Sequence, residues 1–147
     1  MSGREDKKTN DLFYLCSLIV YISRKTLNKP KIVVKKLGRE NLEKIYELAD
    51  VYHCDNIDDV SDSFIEKCKI EKGDFDNIKN CLYTVPTHWD MGKVYKRIVI
   101  LFAQQKEIDY ISALIEIFSL PLIDKVENYN SDLYYQSRET ILEFLTE

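Results

Sequence analysis

Apolar residues recur at steps of three and four along most of this chain, the spacing that lines one face of an α-helix. The pattern is densest near the start, where Leu12, Phe13, Leu15, Cys16, Ile19, Val20 and Ile22 leave almost no polar face before Arg24 and Lys25. A helix apolar on nearly every side belongs in the middle of a bundle. Thr9 or Asn10 is the expected cap of this central helix, and residues 1–10 read as a loose tail. Pro30 then suits the first position of a short helix over 30–37, and Gly38 supplies the left-handed residue that ends one. Residues 39–53 carry Leu42, Ile45, Tyr46, Ala49 and Tyr52 on one face. Asp55 or Asn56 caps the next helix, whose inward set is Ile57, Val60, Phe64, Ile65 and Cys68.

The second half continues in the same register after a loop over 71–80. Asp90 is the expected cap of a long helix to about residue 106, and Asp109 of another that breaks at Leu120-Pro121. Pro121 opens a short helix, and a last one spans 137–145. Residues 81–85 and 133–136 alternate and are β-prone, so they are the candidates for a single two-stranded ribbon, which needs helices behind it to be stable. The expectation is an all-α, single-domain bundle of six or seven helices over 11–147, with that ribbon as its one β feature.

Composition supports the helical reading. The 147 residues include only 4 Gly and 3 Pro, too few to turn an all-β chain every ten residues. Cys16, Cys54, Cys68 and Cys81 are irregularly spaced and follow no secretory signal, so reduced thiols in a cytoplasmic protein are expected. The longest uncharged run, 12–23, is too short for a bilayer span, and no membrane role is expected.

Charge changes the picture more than composition does. Residues 1–46 hold 11 Lys/Arg against 5 Asp/Glu, residues 47–76 hold 3 against 10, and the rest holds 7 against 10. A net charge of −4 therefore hides two opposed blocks, a pattern that points to charged partners. Arg24, Lys25, Lys29, Lys31, Lys35, Lys36 and Arg39 form a basic band over 24–39, and the segment 24–46, with its Gly38 turn, has the length of a helix-turn-helix against nucleic acid. The following helix carries Glu40, Glu43, Glu47 and Asp50, which repel a phosphate backbone. Asp55, Asp58, Asp59 and Asp62 crowd a helix start, where the dipole favours them. They also offer an acidic face to a protein partner.

Candidate chemistry is sparse. His53, Cys54, Cys68, Cys81 and His88 are the residue types zinc takes, but no two cysteines are spaced as a ligand pair, and no metal or cofactor is expected. Cys81, His88 and Asp90 contain a thiol, an imidazole and a carboxylate without an oxyanion loop or a local signature. The acidic run lacks the mid-loop glycine and closing glutamate of a calcium loop. No glycine pattern cradles a phosphate. Trp89, the one tryptophan, sits with Lys93 at a helix start, as interface anchors do.

The strings RKTLN (24–28), YELADVYHCDN (46–56), VSDSFIEKC (60–68) and VPTHWDMGKVYKR (85–97) resemble a group of small helical proteins of low-GC Gram-positive bacteria. The resemblance implies company with toxin–antitoxin or defence cassettes and no known activity. The expected function is a non-catalytic protein-binding module, antitoxin-like or anti-defence, whose contacts are Asp55, Asp58, Asp59, Asp62, Trp89 and Lys93. Its partner is another protein, with a second copy of the chain as one candidate. The alternatives are a nucleic-acid-binding regulator using Arg24, Lys25, Lys29, Lys31, Lys35 and Lys36, and an enzyme of unrecognised class.

Overall fold

The computed structural model describes residues 3–79, 81–131 and 133–146, with side chains from Lys7 onward, Leu122 excepted. Among them the chain forms seven α-helices: α1 (Gly3–Thr26), α2 (Pro30–Glu47), α3 (Ala49–His53), α4 (Ile57–Lys67), α5 (His88–Lys106), α6 (Tyr110–Ser119) and α7 (Arg138–Thr146). Two 3-10 turns, Pro121–Lys125 and Leu133–Tyr135, lie between α6 and α7. The architecture is an all-α, single-domain bundle. None of the described helices is long and apolar enough to cross a membrane.

The central helix lies where its sequence demands. Leu12, Leu15, Cys16, Leu18, Ile19, Val20 and Ile22 have no exposed surface, because α1 is covered by α2, α3, α4 and α5 together. On the far side α5 carries α6 and α7, and α2 closes the core against α6. Helices α1 and α5 make the most extensive helix pair of this arrangement. Their axes approach closely where Gly92 faces Ser17, and a methyl group at Gly92 would overlap Ser17 Oγ and come within 3.1 Å of its Cα.

Helix ends follow local chemistry. The Asn56 side chain accepts from Asp58 N, and Asp109 accepts from Ser112 N, as expected of N-caps. For α5 the cap is Thr87, not Asp90: Thr87 Oγ1 accepts from Asp90 N while the Asp90 carboxylate accepts from Thr87 N, a reciprocal capping box. Asp90 is thus the third helical residue, and the helix starts earlier than expected. Similarly α1 begins at Gly3, so residues 3–10, expected as a tail, continue the helix, with Lys7 and Asp11 paired at 2.9 Å across one turn. Gly38 ends the helical segment that starts at Pro30, as expected: it holds φ 73° and ψ 164°, a non-helical conformation nearly confined to glycine, and a second helical segment of α2 follows it to Glu47.

The expected ribbon does not form among the described residues. Leu82 N donates to the side chain of Asn130, at 2.8 Å, instead of to a neighbouring strand. Leu133–Tyr135 winds into a 3-10 turn that places Tyr134 edge-on against Tyr129. Aromatic residues favour strands only where a sheet surface receives them, and here a helical turn does so.

The connection from α4 to α5 is anchored by polar contacts along its length. Gly73 N and Phe75 N donate to the carbonyls of Thr26 and Leu27, both at 2.8 Å. Asn77 donates to Glu127, and Arg24 donates to the Pro86 carbonyl at 2.6 Å. Glu127 is fully buried. Its carboxylate accepts from Tyr95, from Tyr129 at 2.9 Å and from Asn77 at 3.0 Å, and Arg24 donates to the Tyr129 hydroxyl at 2.9 Å. Burial raises the Glu127 carboxyl above its ordinary value against the opposing pull of these donors.

Candidate protein-contact face

A four-residue step along α1 carries Phe13, Ser17, Tyr21 and Lys25 on one stripe, since positions i and i+4 stack on a helix. Ser17 is buried against Gly92, so the first turns of α5 rest directly on this stripe. The Thr87 capping box fixes where α5 begins, and that sets His88 and Trp89 beside the α1 rings. Trp89 lies 5.6 Å from Phe13 between centroids, 4.6 Å from His88, and 5.7 Å from His53 with the two planes nearly parallel. His88 meets the edge of Tyr21 at 4.9 Å. Trp89 is half-buried and packed against the core.

The aromatic row runs straight into the acidic helix. Tyr21 donates its hydroxyl to Asp58 Oδ1 at 2.7 Å, and the Lys25 ammonium bridges Asp58 at 2.7 Å and Asp62 at 2.5 Å. The two candidate regions, separated by about thirty residues in sequence, therefore form one continuous face. Hydrogen bonds from Lys25 and then Tyr21 hold the Asp58 carboxyl below its ordinary value, and Asp58 with Asp62 raises Lys25 in turn. These groups are exposed, so the pairs count for little in stability but orient the side chains.

Not every predicted acid is equal. Asp58 and Asp62 already face a cation, whereas Asp55 and Asp59 are exposed and form no ion pair among the described residues. The carboxylates of Asp58, Asp59 and Asp62 lie within 4.8 Å of one another, but the cation bridging Asp58 and Asp62 is Lys25. Lys93 is exposed on α5, one turn beyond Trp89.

His88 is held neutral by its surroundings. Burial lowers its value below the ordinary imidazole range, and the Arg24 charge lowers it further. Its Nε2 is buried without a hydrogen-bond partner among the described residues. Tyr14, beneath Trp89, is pushed up to about 12, chiefly by burial and then by Asp55.

The basic band divides when the chain folds. Arg24 turns inward to Pro86 and Tyr129, Lys25 bridges the acidic helix, and Lys29 and Lys31 lie 3.0 and 3.9 Å from Asp124. Arg39 lies between Glu43 and Asp109 at 3.3 and 3.9 Å. Lys35 and Lys36 are exposed and form no ion pair among the described residues. Helix α2 consists of two helical segments joined across a kink at the non-helical Gly38, and the second of them carries Glu40, Glu43 and Glu47.

The two histidines flank Trp89, whereas the thiols make separate local contacts. Cys16 is in the core, and burial drives its thiol upward. Cys54 donates to the Asp50 carbonyl, Cys68 accepts from Asn41, and Cys81 donates to the Tyr83 carbonyl. His88 packs on rings and Asp90 caps a helix, so Cys81, His88 and Asp90 serve separate local roles.

Tyr21, Phe13 and the two histidines of this face were not expected as contact residues. The signal for Tyr21 and Phe13 was the four-step stripe, in which a phenol and a lysine interrupt an otherwise apolar helix. Leu82, 80% exposed, and Tyr83 and Tyr135, both 59% exposed, are further exposed apolar residues, in segments expected to pair as the ribbon. No family model matches the chain, and comparison with curated proteins and with solved structures likewise finds no match.

Proposed function

We propose that the chain is a non-catalytic protein-binding module, an antitoxin-like or anti-defence inhibitor that acts in the cytoplasm by direct contact. The observation that carries the reading is the continuity of Trp89, His88, Tyr21 and Asp58 across α5, α1 and α4. Half-buried aromatics beside an acidic helix start combine the two elements of a strong contact: ring area that desolvates on docking, and charge that steers the approach. The partner surface it fits is basic with an apolar centre. Asp55 and Asp59 do the steering, because Lys25 already offsets Asp58 and Asp62. The four free cysteines agree with a reducing compartment.

Nucleic-acid binding is the weaker reading, since it rests on Lys35 and Lys36 alone once the rest of the band has found partners. The test is affinity capture from source-cell lysate with three baits: the wild type, Asp55→Lys/Asp59→Lys, and Lys35→Glu/Lys36→Glu. A protein retained by the wild type and the lysine variant but lost from the aspartate variant is the expected result. Loss from the lysine variant alone, or retention of nucleic acid that disappears with it, would overturn the reading.

A further inference from the structure

The point where the long connection enters α5 hangs on one side chain. Over residues 84–86 the single hydrogen bond among the described residues is the one that Arg24 donates to the Pro86 carbonyl at 2.6 Å. Thr87 then caps α5, and His88 and Trp89 follow in its first turn. Arg24 belongs to α1, and its guanidinium also donates inward to the Tyr129 hydroxyl, which in turn donates to the buried Glu127. One guanidinium thus ties the start of α5 to the polar core.

Two unpaired atoms meet at the same place. Among the described residues four buried side-chain polar atoms lack a hydrogen-bond partner, and two of them are Arg24 Nε and His88 Nε2. Such atoms are rare because each is desolvated without compensation, so two of them on mutually interacting groups single this junction out. A neutral His88 ring tolerates its position, since with the proton on Nδ1 its Nε2 carries only a lone pair. A charged ring brings a second N–H to a place with no acceptor and sets a cation against Arg24.

Around the ring stand Tyr21 and Arg24 of α1, His53 of α3 across the indole, and Asp90 on its own helix. Asp90 favours the charged form, but Arg24 outweighs it, and the Asp90 carboxylate is engaged by Thr87 N. At the inner end Arg24 faces Tyr129, Tyr134 and Glu127. Burial favours the neutral form of Glu127, so acid leaves the inner end intact and acts at the outer one.

We propose that Arg24, Pro86 and His88 form an acid-released latch: a proton on His88 repels the Arg24 guanidinium, which leaves the Pro86 carbonyl and lets the start of α5 loosen together with Trp89. The latch is closed while His88 is neutral and opens as pH falls through the midpoint of that ring. It does not depend on the protein-contact reading, although in acid it withdraws the Trp89 end of that face.

The experiment is amide hydrogen exchange of the full-length protein over a pH series, expressed as protection factors, with the His88 midpoint read by proton NMR on the same sample. Protection at Asp90 and Met91, whose amides bond to Thr87, should fall at least about tenfold as His88 becomes charged, while Ile98 and Val99 in the middle of α5 keep theirs. His88→Phe keeps a ring between Tyr21 and Trp89 and should hold protection constant over the series. Arg24→Met should show the low protection at every pH, with no further change as His88 titrates. Protection that ignores the His88 midpoint, or a loss shared equally by Ile98 and Val99, would overturn the proposal. So would a His88→Phe variant that loosens like the wild type, or an Arg24→Met variant as well protected as the wild type at neutral pH. Where a variant does not fold, the wild-type profile against its own His88 midpoint decides.

Discussion

His88 joins Trp89 to Tyr21 in the candidate face, and its protonation state is open to direct measurement. Because burial and Arg24 place its folded value below the ordinary 6.5, the neutral form is favoured by folding. Its contribution to stability is therefore present above pH 6.5 and is lost as pH falls through the lower folded value. A proton NMR titration of the His88 ring should give a midpoint below 6.5, accompanied by a change in Trp89 emission as charge appears 4.6 Å from the indole. A midpoint at or above 6.5 would contradict the packing described. Glu127 has the reverse sign. Its folded value lies above 4.5, so its contribution is full below that pH and declines as pH rises through the folded value. Glu127→Gln removes the titration while keeping a group that Tyr95, Tyr129 and Asn77 can bond. The stability of the wild type relative to this variant should therefore fall as pH rises above 4.5, and a flat difference by calorimetry would refute the assignment. Neither shift was legible in the sequence, since each arises from residues distant in the chain. Glu127 meets Tyr95 and Asn77 across 32 and 50 positions.

Elements were more legible than residues. Periodicity located the central helix, the helix after Asn56 and the pair divided by Leu120-Pro121, because burial of one face repeats every turn; the single helix expected over 39–53 is instead divided at Leu48 between α2 and α3. Asp109 was legible as a cap because it stood alone, while of the two candidates Asp55 and Asn56 the structure uses Asn56. At α5 two good caps stood three apart, and the reciprocal bonds of Thr87 and Asp90 decided the start. The ribbon failed for a different reason: strand preference depends on a receiving sheet, and a helical bundle offers none. What no periodicity reveals is the distance between helices. The contact of Gly92 with Ser17 brings α5 onto the α1 stripe, and the face depends on it. Gly92→Ala should destabilise the fold by about 1–3 kcal/mol through overpacking, measured by denaturant unfolding. Adding Ser17→Gly should recover part of the loss. An unaffected Gly92→Ala variant would mean that the two helices are less close than described.

For the whole molecule, the opposed charge blocks take on a different meaning once folded. The basic block is largely answered from within: Lys25 by Asp58 and Asp62, Lys29 and Lys31 by Asp124, Arg39 by Glu43 and Asp109. The asymmetry along the sequence thus becomes pairing across the fold, and what is left over is informative. Asp55 and Asp59 remain beside an aromatic row, and Lys35 and Lys36 remain exposed on α2. The first remainder is the basis of the protein-contact reading, and an association rate tests it most directly. With the captured partner in hand, stopped-flow association is measured over a salt series for the wild type and for Asp55→Lys/Asp59→Lys. Steering by these two charges predicts a variant rate lower by about tenfold at low salt, converging on the wild type as salt screens the field. Equal rates and equal salt dependence would contradict the account.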